Sequence, residues 1–207
     1  MNSTDNDKSA QEPKQLSKRE LEKAVNGYIA EKGWKKTLDF NQIVSLREWV
    51  TYMFQHPERH DLNFDAFAKS EFDYRQIDIL CRGHVSEIDM LPYIKQGFSN
   101  RQLDVILWGQ ESNLDVSHYA DKKFDCFQML VIYNGLKQGL DVSLYAKPEY
   151  NEAQMSNIKY GLEKGLDVSK ICNPAISAKE MGNILSSIEK RQKETVNNQP
   201  IGKKIRV

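Results

Sequence analysis

Apolar and polar positions recur with a 26-residue spacing through most of the chain. Five segments share one pattern: a large apolar residue, a polar capping residue, then Gln or Glu three positions later and an apolar residue after it. The apolar residues are Phe72, Phe98, Phe124, Tyr150 and Ile176, and the capping residues are Asp73, Ser99, Asp125, Asn151 and Ser177. This is the capping box together with the hydrophobic staple. The pattern predicts five helices that begin at these caps.

The end of each unit is also marked in the sequence. Gly139 and Gly165, with Asn113 at the equivalent place, suit the left-handed residue that terminates a helix. A Leu-Asp-Val-Ser-x-Tyr-Ala phrase follows at 114–120 and 140–146, and it is long enough only for a short α or 3₁₀ helix. We expect the carboxylates of this phrase to cap that short helix rather than to act in catalysis: Asp115, Asp141 and Asp167.

A second glycine recurs inside each long helix, at Gly83, Gly109, Gly135 and Gly161. Interior glycine costs about 1 kcal/mol relative to alanine. Its recurrence in register predicts a close approach of another segment, which we assign to the short helix of a neighbouring unit.

Before the repeats, Ser17 and Glu20 form a capping box that opens a helix ending near Gly33. Ser45-Leu46-Arg47-Glu48 has the same form and predicts the start of a second helix, which His56-Pro57 ends.

The predicted fold is all-α, a short α-solenoid of 26-residue units without a sheet. We divide the chain into a disordered segment 1–15, an N-terminal helix and linker 16–44, a repeat array 45–190 and a basic disordered tail 191–207. Within the array, a degenerate first unit covers 45–71, further units begin at 72, 98, 124 and 150, and a capping helix covers 176–190.

The phrase Gln-Met-x-x-Ile-x-x-Gly-Leu-x-x-Gly-Leu-Asp-Val-Ser is plain at 154–169 and 128–143 and looser at 102–117, and at 128–146 it continues as x-Tyr-Ala. It resembles a helical repeat of Gram-positive gut-bacterial, phage and conjugative-element proteins that are mostly uncharacterised. The resemblance covers about 88–175. It implies a repeat scaffold from a mobile genetic element, with no catalytic residues to transfer. In architecture, a long helix alternating with a short one is similar to leucine-rich variant repeats.

Charge and cysteine content indicate the cellular compartment in which the protein is expected. Residues 67–169 carry a net charge of −4 and residues 170–207 a net charge of +5, so basic groups concentrate at the C-terminal end. Three cysteines without regular spacing favour a reducing cytosol over a disulfide framework. The N-terminus lacks an apolar signal segment and no run is long enough to span a membrane. We therefore expect a cytoplasmic protein whose oligomeric state is open.

Catalytic motifs are absent from the sequence. His56 and His60 have the i, i+4 spacing of a zinc pair, but Pro57 lies between them. Cys81 and His84 are one turn apart without a second pair nearby. There is no P-loop, dinucleotide fingerprint or nucleophile elbow. The sequence favours a non-enzymatic protein without cofactor or metal.

The helical wheel leaves one arc of each predicted helix facing away from the apolar stripe. It holds a set of apolar side chains with arginines beside them: Arg82, Arg101, Val105, Trp108, Phe127, Val131, Asn134 and Tyr160. Either this arc binds a partner protein, or other helices of the chain cover it. Partner binding is our first hypothesis. The alternative is nucleic-acid binding through Arg75, Arg82, Arg101 and the basic tail.

Overall fold

A computed structural model of the chain describes residues 16–59 and 62–197. All the regular secondary structure among the described residues is helical, with no strand, which confirms the all-α class. The helices are α1 (Lys18–Lys32), α2 (Phe40–Gln55), α3 (Tyr74–Val85), α4 (Leu91–Lys95), α5 (Asn100–Glu111), α6 (Cys126–Lys137), α7 (Glu152–Glu163) and α8 (Ala178–Asn197). The chain divides into two compact units, the first ending at Lys95 and the second beginning at Gln96.

The predicted capping boxes open the long helices. Complete boxes begin α3, α5, α6 and α7, and at α8 the hydroxyl of Ser177 accepts from the backbone N–H of Glu180 at 3.2 Å. The staple is present as well, since the apolar residues before the caps of α3, α5, α6 and α7 and those at the fourth position of all five helices are buried. The local start signals in the sequence are therefore confirmed at all five helices.

The start of α2 differs from its prediction. The helix begins at Phe40, where Asp39 and Gln42 form the capping box, and not at Ser45. Ser45 lies inside the helix with 8% of its surface exposed. Leu38-Asp39-x-x-Gln42-Ile43 repeats the apolar–cap–Gln–apolar pattern of the later units, so the earlier of two competing boxes starts the helix.

The glutamine of the box makes a second contact that the sequence reasoning missed. Its Oε1 accepts from the N–H of its own capping residue, and its Nε2 donates to the carbonyl of the apolar residue before the next long helix. The Nε2 to carbonyl pairs are Gln42–Phe72, Gln102–Phe124 (2.8 Å), Gln128–Tyr150 and Gln154–Ile176 (2.7 Å). We name this contact the glutamine clamp. It connects the start of one helix to the start of the next.

In the second unit, each long helix packs on the one that follows it: α5 on α6, α6 on α7, and α7 on α8. The final helix continues to Asn197, so the prediction that it ends at 190 is wrong and residues 191–197 are helical. The predicted disordered segment 1–15, and residues 198–207 of the predicted tail 191–207, lie outside the described residues. A continuous solenoid over 45–190 remains a prediction, since this range includes parts of both units.

The helix ends follow the sequence signals. Asn113, Gly139 and Gly165 all have positive φ, and Glu87 takes the same conformation at the equivalent position of the first unit. Short 3₁₀ helices follow at Val116–His118 and Val142–Leu144, as the repeated phrase predicts. At three of these four helix ends the left-handed residue is Gly or Asn, which tolerate this geometry better than other residues do.

The interior glycines allow close packing, but of a different segment from the one predicted. An ideal Cβ on Gly109 would lie 1.9 Å from the Tyr119 hydroxyl, and one on Gly135 would lie 1.8 Å from the Tyr145 hydroxyl. Each tyrosine belongs to the same 26-residue repeat as its glycine, so the prediction that the contact comes from a neighbouring repeat is wrong. The 3₁₀ helix folds back and inserts its tyrosine over the helix just completed.

The two tyrosines differ in their hydrogen bonds, which permits a matched test. The hydroxyl of Tyr119 donates to the carbonyl of Val105 at 3.2 Å. The hydroxyl of Tyr145 has no hydrogen-bond partner among the described residues, and burial raises the pKa of this phenol. We expect Tyr119→Phe to lower the free energy of unfolding by about 1 kcal/mol and Tyr145→Phe to leave it unchanged or slightly higher. Urea denaturation of the two variants measures the difference, and an equal loss in both would contradict it.

Candidate interaction surface

Three aromatic side chains on consecutive helices of the second unit remain exposed. The exposed fractions are 38% for Trp108 on α5, 56% for Phe127 on α6 and 39% for Tyr160 on α7. Most other large apolar residues of this unit are buried, including Tyr119, Tyr145 and Tyr150. Exposed large apolar side chains are the candidates for a binding surface, since contiguous apolar patches on a protein surface mark interaction sites. We name Trp108, Phe127 and Tyr160 the aromatic row.

Two of the predicted surface residues are not on the surface. Val105 and Val131 are 4% and 7% exposed, so the prediction that they face outward is wrong. The equivalent residue of α7 shows why: Nδ2 of Asn157 donates to the carbonyl of Ala178 at 2.8 Å, at the start of the next helix. This helical position faces the neighbouring helix, because a helix in a stack is covered on two sides and not on one.

Trp108 and Tyr160 each contact the helix that follows their own. The Trp108 ring is 6.4 Å from the ring of Tyr133 on α6, measured between centroids. The Tyr160 hydroxyl donates to the carboxylate of Glu189 on α8 at 3.3 Å, and the ammonium of Lys164 lies over its ring. Each ring is therefore held by a neighbouring helix while part of its face stays accessible. Phe127 is the most exposed of the three.

The polar members of the predicted surface divide between the two units. In the second unit, Arg101 is exposed and Asn134 is half-buried. In the first unit, Arg82 is half-buried on α3, and Arg75 is exposed with its guanidinium over the ring of Tyr74. The structure thus brings Arg101, Asn134 and the aromatic row into one unit, and places Arg75 and Arg82 in the other.

The aspartates that recur in the Leu-Asp-Val-Ser phrase bind nearby backbone N–H groups. Asp115 and Asp141 accept hydrogen bonds from the backbone N–H groups of Ser117 and Ser143 at 3.0 and 3.1 Å, which caps the two 3₁₀ helices. Hydrogen bonds from the Ser143 hydroxyl and backbone lower the pKa of Asp141. The prediction that these carboxylates cap short helices is confirmed for Asp115 and Asp141; Asp167 accepts the same bond from the Ser169 N–H at 3.0 Å, but the residues after it form a turn and not a helix.

Histidine and cysteine do not assemble a metal site in the described part of the chain. Of the two histidines with zinc-pair spacing, His60 lies outside the described residues, while Nδ1 of His56 is 3.0 Å from the Glu58 carboxylate. Cys81 is fully buried, and this burial raises the pKa of its thiol, so it stays protonated. The thiol therefore packs as a small apolar group.

The sequence reasoning missed a second exposed apolar group, in the first unit. Phe40 is 80% exposed, and Val44 and Tyr74 are 38% and 42% exposed. Residue 40 was assigned to a linker, so its place on a helix could not be seen. The capping box at Asp39 is the signal that locates it, since it makes Phe40 the first residue of α2.

Comparison of the chain with protein-family models, with characterised proteins and with solved structures gave no match. Across residues 16–59 and 62–197, no helix has the length and apolar character needed to cross a bilayer.

Proposed function

We propose that the protein is a non-enzymatic interaction module that binds a partner protein through the aromatic row, with Arg101 and Asn134 beside it. The observation that carries the proposal is the exposure of Trp108, Phe127 and Tyr160 on three successive helices. Tyr, Trp and Arg are the residues that most often dominate binding energy at protein interfaces. Phe127 would insert into a pocket of the partner. Trp108 and Tyr160 would contact the rim of that pocket.

The setting of this interaction is also part of the proposal. The resemblance of the repeat to mobile-element proteins supports a factor of phage or conjugative origin that acts on a host protein in the cytoplasm. Three free cysteines agree with a reducing compartment. The proposal involves no cofactor, metal or membrane.

Nucleic-acid binding remains the alternative, and it rests on charge alone. Arg75 and Arg82 belong to the first unit and Arg101 to the second, and α8 adds exposed Lys190, Arg191 and Lys193. A protein that binds the phosphate backbone of a nucleic acid would lose affinity by several powers of ten as the salt concentration rises. The partner complex proposed here should depend only weakly on salt, because aromatic side chains supply most of its contacts.

We expect Phe127→Ala, alone and combined with Trp108→Ala and Tyr160→Ala, to reduce capture of partner proteins from host lysate at least about tenfold. The melting temperature of Phe127→Ala should stay close to that of the wild type, because the side chain is half exposed. Quantitative mass spectrometry of captured proteins gives the measurement. Leu16→Ala, which removes an exposed apolar side chain from the first unit, outside both proposed binding sites, is the matched control and should leave capture unchanged. Equal capture by the wild type and the triple variant would refute the proposal.

A further inference from the structure

A cleft of about 330 Å³ opens between α2 and α3 in the first unit. Val44 of α2 and Tyr74 of α3 form its apolar wall, and both side chains are more than a third exposed. Phe40 stands one helical turn before Val44 on the same face of α2, so it extends this wall into solvent. An apolar cleft between two helices with an exposed aromatic at its edge suits the apolar side chains of a peptide segment.

The cleft also contains a buried hydroxyl that the fold does not use. Ser45 lines the cleft, is only 8% exposed, and its Oγ has no hydrogen-bond partner among the described residues. Buried polar groups in proteins are nearly always hydrogen-bonded, so an exception calls for an explanation. The Oγ has almost no accessible surface, so a ligand in the cleft would supply the missing partner once the Ser45 side chain rotates toward the opening.

Carboxylates dominate the charge of the cleft. Glu48 and Asp78 both line it, and Asp78 accepts a hydrogen bond from the indole N–H of Trp49 at 2.9 Å. One cation is present, Arg75, and its Nε donates to the hydroxyl of Tyr74 on the same helix. The neighbouring Arg47 bonds to Asn26 of α1 instead, at 2.6 Å. The charge is therefore complementary to a basic side chain.

Ser45 and Glu48 are the two residues whose spacing suggested a helix cap at 45–48. The structure shows that they do not cap a helix; both line the cleft. We propose that this cleft binds a short helical segment of a partner protein that presents an apolar side chain and an arginine or lysine one turn apart. The apolar side chain packs on Val44, Tyr74 and Phe40, and the cation pairs with Glu48 and Asp78. This site is separate from the aromatic row and does not depend on its function.

The test uses the full chain and two synthetic peptides of about 14 residues that differ only in charge. One carries leucine and arginine one turn apart on an alanine background, and the other has glutamate in place of each arginine. The chain has three tryptophans, and their indole N–H signals separate the possible sites in a nitrogen–proton correlation spectrum. Trp49 reports on the cleft and Trp108 on the aromatic row, while Trp34 is buried.

We expect the arginine peptide to shift the Trp49 signal saturably and the glutamate peptide to leave it unmoved. Glu48→Gln should weaken binding of the arginine peptide about tenfold and Phe40→Ala about fivefold. Ser45→Ala should weaken it about threefold without lowering the melting temperature, because its hydroxyl has no partner in the unbound fold. The matched controls are Glu22→Gln, at an exposed glutamate of α1, and Phe127→Ala; neither should change the affinity.

Other outcomes overturn the inference. The cleft does not select for basic partners if both peptides move Trp49 equally, or if neither does. A shift of Trp108 alone would place the peptide on the aromatic row, and would leave the proposed function standing. A Trp49 shift that follows the concentration of the protein itself, without peptide, would identify a second copy of the chain as the occupant. If the triple variant of the aromatic row loses partner capture but still binds the arginine peptide, the two sites act independently.

Discussion

Replacing Gly135 with alanine is expected to lower the free energy of unfolding by about 3 kcal/mol. The new methyl group would lie 1.8 Å from the Tyr145 hydroxyl and 3.1 Å from Cγ1 of Val142. Tyr145 is fully buried, so its ring cannot move aside without displacing the 3₁₀ helix that carries it. The cost of this overpacking exceeds the gain in helix propensity, which is about 1 kcal/mol. Urea denaturation followed by circular dichroism measures the balance.

Two further variants make this prediction specific. Gly27 lies inside α1 with open space around it, since no atom comes within 4 Å of an ideal Cβ there. Gly27→Ala should therefore stabilise the protein by about 0.5–1 kcal/mol. Adding Tyr145→Phe to Gly135→Ala removes the closest clash and should restore at least about half of the lost stability. A Gly135→Ala variant as stable as the wild type would show that glycine is not required by packing at this position.

Local signals explain why the helices were predictable. A cap, its box partner and the staple lie within about six residues of one another, so their spacing alone is sufficient. The same holds for helix ends, where Asn113, Gly139 and Gly165 mark left-handed turns. The error at α2 has a local cause too: Asp39-x-x-Gln42 and Ser45-x-x-Glu48 both match the box, and the pattern alone does not rank them. Apolar residues flank both boxes, Leu38 and Ile43 around the first and Val44 and Trp49 around the second, so the staple does not rank them either.

The surface was harder to predict because it depends on which sides of each helix its neighbours cover. A single helical wheel assumes one buried face, whereas α6 is packed by both α5 and α7. Val131 is buried for this reason, while Phe127 stays exposed near the helix start. The cleft of the first unit could not be found without knowing where α2 begins. Its residues come from two helices whose separation no periodicity specifies.

The glutamine clamp has a signal in the sequence, the use of glutamine where glutamate would serve as well. A capping box needs only an acceptor at its third position, which glutamate and glutamine supply equally. Four boxes with glutamine also donate to the next helix start, at Gln42, Gln102, Gln128 and Gln154. Glutamate stands instead in α1 and at Glu180 of α8, where the array ends. In these four boxes the amide therefore makes a contact that a carboxylate could not make, because a carboxylate has no N–H to donate.

Gln128→Glu is consequently expected to cost about 3 kcal/mol at neutral pH, although it preserves the capping box of α6. Gln128 is 7% exposed, and its Nε2 donates to the Tyr150 carbonyl and, at 3.4 Å, to that of Pro148. A carboxylate there would place a buried negative charge against carbonyl oxygens. Glu20→Gln is the reverse change in an exposed box without a clamp, and it should alter stability by less than about 0.5 kcal/mol.

The pH dependence of the Gln128→Glu variant tests the donor directly. Burial beside carbonyl oxygens should raise the pKa of the introduced carboxyl above its ordinary value of about 4.3, because the protonated form can donate to Tyr150. The folded state then binds the proton more tightly than the unfolded state. The deficit relative to the wild type should be smallest below the unfolded pKa and should grow as the pH rises through the folded pKa. Urea denaturation of both proteins across this range measures it. A deficit that stays constant with pH would mean that the lost stability comes from shape or packing, and that the amide of Gln128 does not act as a donor to the next helix.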